Sequence, residues 1–252
     1  MLTSLTRGVV SGAVGGVLAG AFGFLLAEPV MDRAVGLEAA RRAAAGEHTV
    51  DTFARSTQHI GFVVATVAVG IAFGILYGVL HALLPTRPLS SPQALSQGEP
   101  SGAWGRAVRL AAGGFFALSF VPFLRYPPDP PGVGDAATIG SRSHLWTVTL
   151  VIGLVGAAFA GLVARGLLER GVRASLRQLS VVGVLAATVA LTFVLPGNAD
   201  EAAVPVGLVW QFRLLSLATV ALLWGGLGVT FGLLGEHASA RASAGSPAPT
   251  RT

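Results

Sequence analysis

Six stretches of this chain are long and apolar enough to cross a membrane, and they limit what it can fold into. The first, Gly8 to Ala27, runs 20 residues without a charge. At 1.5 Å per residue it spans a hydrocarbon layer of ~30 Å. Backbone groups find no water there, so the run must satisfy its own hydrogen bonds as a helix. Comparable runs occupy about His59–Leu84, Ala107–Leu124, Leu145–Ala164, Leu179–Leu195 and Leu208–Leu234. Charged residues make up only 12% of the 252, against about 25% in soluble domains, and no soluble core of this length could bury the apolar remainder. The expected fold is an all-α, polytopic membrane helix bundle with about six transmembrane helices, occupying residues 1–236.

Ala19-Gly20-Ala21 imitates a signal-peptidase site, but the apolar run continues through Leu26, so the span is expected to be retained. Gly8, Gly12, Gly16 and Gly20 stand four apart, as do Gly70, Gly74 and Gly78. Such a stripe lets another helix backbone come close. Glu28-Pro29 is expected to end the first helix, with Met31–Arg55 following as a short amphipathic surface segment. Residues 85–105 read as a mobile loop and 237–252 as a disordered tail, both from their polar, Pro- and Ser-rich composition.

All 17 basic residues are arginine. The turn between the fourth and fifth spans carries Arg165, Arg170, Arg173 and Arg177 against Glu169 alone. Ten arginines fall on the side of the two termini and seven on the other. Both termini are therefore expected in the cytoplasm.

With that topology the unusual polar residues gather at the outer face: Glu28, His48, Gln58, His59, His144, Asp200, Glu201, Gln211 and Arg213. The stretch Leu124–Arg142, LRYPPDPPGVGDAATIGSR, joins them there. In it Tyr126, Pro127, Pro128, Pro130 and Pro131 stiffen an extended backbone around Asp129. Gly132 and Gly134 then permit a sharp turn before Asp135. The stretch reads either as a rigid presenter of carboxylates or as a stiff spacer. Polar groups at span ends are costly unless used, so Glu28, His59, Asp129, Asp135 and His144 are candidate metal ligands. Tyr126, the four prolines, Gly134 and Arg142 would shape the loop. Imidazole with carboxylate suits Co²⁺, Ni²⁺ or Zn²⁺. Each residue also has a plainer reading: Glu28 as a helix-end cap, or Arg213 paired with Glu28 or Asp200.

Other chemistries are excluded. The chain has no cysteine, hence no disulfide, thiolate metal site or thiol catalysis. It has no G-x-S-x-G, no Walker sequence and no dinucleotide fingerprint, and Ser119 lacks a histidine in register. Neither an enzyme nor a nucleic-acid binder is indicated, and no resident cofactor is expected.

Glu28-Pro29, Gln58-His59 and above all Tyr126-Pro-Pro-Asp-Pro-Pro-Gly-Val-Gly-Asp135, with Thr138-Ile139 and Arg142, resemble the CbtA family over roughly residues 1–235. That resemblance implies a membrane subunit for cobalt uptake linked to cobalamin synthesis, with Co²⁺ as cargo. It also implies a small, single-span, histidine-bearing partner (CbtB-like) beside the membrane lipid. Two other readings stand next to it. One is a permease for an organic solute such as a corrinoid precursor, with Arg142 and Arg213 binding anionic groups. The other is a non-transporting membrane adaptor.

Overall fold

The computed structural model describes residues 2–46, 53–84, 102–134, 136–197 and 204–244. No strand occurs among them, and six helices are long and apolar enough to span a membrane. His48, Asp135, Asp200 and Glu201 lie outside the described residues, as do residues 85–101 of the polar loop and 245–252 of the tail.

Helix α1 (Leu2–Phe22) passes through a π turn, Gly23–Ala27, into α2 (Glu28–Ala44). Helix α3 (Arg55–Leu83) returns antiparallel to α1. The third crossing is α4 (Ala103–Phe115), a second π turn (Phe116–Phe120) and α5 (Val121–Arg125). The Pro-rich loop and a 3₁₀ turn (Ala136–Thr138) lead to α6 (Ile139–Glu169). Helix α7 (Ala174–Thr192) and α8 (Val206–Ala244) complete the bundle. Helix α4 thus begins within the stretch read as a loop, and α8 runs on into the stretch read as a tail.

Helix α1 is the centre of the packing, with α3 on one side and α8 on the other. Hydrocarbon offers no hydrophobic drive for helices to associate, so close van der Waals contact has to supply it. The glycine stripes make that contact possible. A Cβ on Gly12 would lie 2.1 Å from the Gly70 carbonyl oxygen, and one on Gly74 would lie 2.1 Å from that of Gly8. Only hydrogens fit between these backbones. The opposite edge of α1 does the same with α8, where a Cβ on Gly15 would lie 2.5 Å from the Leu223 carbonyl oxygen. Tyr77, Leu223, Trp224, Leu227 and Phe231 fill the half of the bundle nearer the termini. Side chains such as Leu76, Val155 and Leu179 remain exposed on the outside, as lipid-facing positions must.

The expectation that Glu28-Pro29 ends the first helix is overturned, and with it the separate surface segment after Met31. The chain stays helical to Ala44. A proline inside a helix lacks an N–H, and its ring collides with the carbonyl four residues back. Here the preceding turn is already widened, because the Glu28 N–H bonds the Gly23 carbonyl five residues back. Pro29 enters a ladder that has been opened for it. The same device recurs at Val121-Pro122, where the Val121 N–H reaches Phe116 O. The first π turn lies at the end of the bundle away from the termini; the second lies deeper, where its Ser119 accepts from Trp224 Nε1 at 3.1 Å.

Candidate metal site

The added residue of the first π turn rotates α2 relative to α1 and carries Glu28 inward against the start of α3. Glu28 is 9% exposed. Asp32, four residues on, shares its helix face. Opposite them stand Arg55 and His59, again four apart, on the first turn of α3. Glu28 Oε2 is 3.1 Å from His59 Nε2, and Asp32 Oδ1 is 3.4 Å from the same nitrogen. One ligand atom each from Glu28, Asp32 and His59 lies within 4.8 Å of the others. Among the described residues they form the one such group of three or more. Phe24 sets its ring edge-on to His59, centroids 6.0 Å apart, and closes the apolar side.

Arg55 stands in the middle. Its Nη2 donates to Glu28 Oε2 at 2.9 Å and to Asp32 Oδ1, and lies 3.2 Å from His59 Nε2. Nη1 donates to Gln58 Oε1 at 2.6 Å, and Gln58 in turn donates to the Phe53 carbonyl at 3.0 Å.

The Pro-rich loop is the second feature of this end. Its Asp129 accepts a 2.6 Å bond from Arg213 Nη2, and both side chains are largely shielded. Arg213 is thus not the partner of Glu28, which goes to Arg55 instead; Asp200, the other partner the sequence offered, lies outside the described residues. Tyr126 donates its hydroxyl to the Pro196 carbonyl at 2.7 Å. Arg125 donates to the Leu195 carbonyl and lies over the Tyr126 and Phe193 rings. These contacts fasten the loop to the end of α7. Two glycines turn the chain in the left-handed region, Gly132 at φ 82° and Gly134 at φ 91°. A Cβ at either would also have to displace an arginine side-chain end, meeting Arg41 Nη2 at 2.2 Å and Arg142 Nη1 at 2.3 Å respectively. Arg41 also donates to the Gly132 carbonyl at 3.4 Å, joining α2 to the loop.

Behind the loop opens a cleft of about 980 Å³ between the second π turn, α5, α6 and α8, with mostly apolar walls. Pro127, Pro128, Asp129, Pro130, Pro131 and Arg142 form part of its lining. His144 is exposed on α6 and does not line it.

Of the five ligand candidates, then, the fold brings Glu28 and His59 together. It commits Asp129 to Arg213 and leaves His144 apart, and Asp135 is outside the described residues. Asp32 and Arg55 were missed. Their signal was the spacing of four from Glu28 and to His59, which counts only if the helix continues through Pro29.

At the opposite end His81 is buried among Tyr77, Phe231 and Arg106. Arg106 Nε donates to its Nε2 at 2.9 Å. That lone pair is already used.

Six helices able to cross a membrane, with two carboxylates and an imidazole converging at one end, make this a polytopic membrane protein with a candidate cation site. The chain belongs to the CbtA family: the model for the probable cobalt transporter subunit CbtA matches residues 2–236. No curated protein and no solved structure matches it. The family and the six crossings together make it a multi-pass cytoplasmic-membrane protein of cobalt transport.

Proposed function

We propose that this chain captures Co²⁺ for uptake at the Glu28, Asp32 and His59 cluster, and that this end of the bundle faces outward. The spacing of the ligand atoms carries the reading. A divalent ion with bonds of about 2.1 Å requires donor pairs about 3.0 Å apart at octahedral angles and about 3.4 Å at tetrahedral ones. The two separations from His59 Nε2 are 3.1 Å to Glu28 and 3.4 Å to Asp32, and all three donors lie within 4.8 Å of one another. Neutral imidazole with two carboxylates favours Co²⁺, Ni²⁺ and Zn²⁺ over the hard cations Mg²⁺ and Ca²⁺. Three protein donors leave coordination positions for water or for a ligand from a small histidine-bearing partner subunit. The arginine count supports the orientation. Inward movement of a divalent ion across a potential of ~100 mV releases ~4.6 kcal/mol, a driving force for uptake that needs no nucleotide.

The test is radiolabelled Co²⁺ uptake in cells carrying Glu28→Gln or His59→Gln, scaled to protein abundance. Each is expected to lose about tenfold or more, in line with losing one ligand. Wild-type uptake in both variants would remove the capture site. The 980 Å³ cleft favours a second reading, since a metal ion needs no cavity of that size. An organic anion held there would depend on Arg142, and Arg142→Gln would then abolish its transport while leaving Co²⁺ uptake intact.

A further inference from the structure

A single guanidinium nitrogen touches every candidate ligand of the metal cluster. Arg55 Nη2 bonds Glu28 Oε2 at 2.9 Å and Asp32 Oδ1, and sits 3.2 Å from His59 Nε2. We propose that Arg55 is a tethered competitor seated where the divalent ion binds, and that it determines which ions can enter and drives their release. The inference rests on the metal reading of Glu28, Asp32 and His59.

The two cations exclude each other. A metal about 2.1 Å from all three donors would occupy the hole that Nη2 now fills, and both carry positive charge. The seat empties only when the Arg55 side chain moves. The side chain is 28% exposed and its Nη1 is already bonded to exposed Gln58, which gives the displaced guanidinium a partner at the water side. With Arg55 in place, nearly buried Glu28 is never left as an uncompensated charge.

Selectivity follows from the exchange. Glu28 and Asp32 carry two negative charges and Arg55 one positive, so a monovalent ion replacing Arg55 gains no charge and cannot use the imidazole well. A hard divalent ion gains charge but little from nitrogen. Co²⁺, Ni²⁺ or Zn²⁺ gains from all three donors. When the cluster loosens its hold on the metal, Arg55 returns and occupies the ligands. Capture stays reversible, as transport requires.

The experiment is calorimetric titration of the full-length protein in detergent micelles with Co²⁺ and, separately, Mg²⁺. Arg55→Gln removes the charge and should tighten Co²⁺ binding by about tenfold, with Mg²⁺ binding appearing alongside. Arg55→Lys keeps a charge that reaches fewer of the ligands at once, and should fall between Gln and wild type. It carries the test if the Gln variant does not fold. Glu28→Gln and His59→Gln should each weaken Co²⁺ binding. If Co²⁺ binds the Arg55 variants no more tightly than wild type while those two still weaken it, Arg55 only braces the site and the proposal is wrong. If Glu28→Gln and His59→Gln bind Co²⁺ as wild type does, or nothing binds it, the metal reading fails first and takes this one with it.

Discussion

Arg213 on α8 reaches Asp129 in the Pro-rich loop at 2.6 Å, across 84 positions of sequence, with both side chains mostly shielded from solvent. Each charge neutralises the other where water is scarce, so removing one strands its partner. Asp129→Asn and Arg213→Gln should each cost about 1–3 kcal/mol. The double variant should cost less than the sum of the two. Thermal unfolding of the four proteins in detergent closes the cycle. Strict additivity would mean that the pair does not hold the loop.

The glycine contact between α1 and α3 makes a second prediction. Gly12→Leu or Gly70→Leu must push apart two backbones that now touch, an overpacking cost of about 1–3 kcal/mol or more. The yield of folded protein should fall. Gly61→Ala and Gly113→Ala are the controls, because a Cβ there meets nothing within 4 Å. All four variants behaving alike would show that the stripe is incidental.

The turn at Gly134 should be the least tolerant point of the loop. Alanine there must adopt φ 91° and also displace Arg142. The strain alone is about 1–2 kcal/mol. Tyr126→Phe removes only the bond to the Pro196 carbonyl and should cost about 0.5–1.5 kcal/mol. Melting temperatures should fall in that order. An equal or reversed ranking would mean that the loop is anchored elsewhere.

Orientation can be read directly, since the chain has no native cysteine. Cysteines at exposed Ser141 and Ser175 lie at opposite ends of the bundle. An impermeant thiol reagent added to intact cells should label the first and spare the second. The reverse pattern would place the metal cluster in the cytoplasm.

What the sequence determined by itself is the part governed by local chemistry and by the membrane. Six long apolar runs have no alternative to helices in hydrocarbon, and glycines every fourth residue align on a face because 3.6 residues make a turn. Pro127 to Pro131 are stiff whatever surrounds them. That Glu28 and His59 share an end of the bundle was also legible, since no crossing separates the end of the first span from the start of the second. Tertiary structure decided the rest. A π turn is a one-residue change of register that no periodicity announces, yet it carries the helix through Pro29 and brings Asp32 into line with Glu28. The partners of charges were equally hidden. Arg55 and Glu28 are charged residues at helix ends and Asp129 is one in a loop, and nothing local says which arginine meets which carboxylate. Distances between side chains of different helices depend on where the backbones cross, and the glycine contacts between α1, α3 and α8 set those crossings.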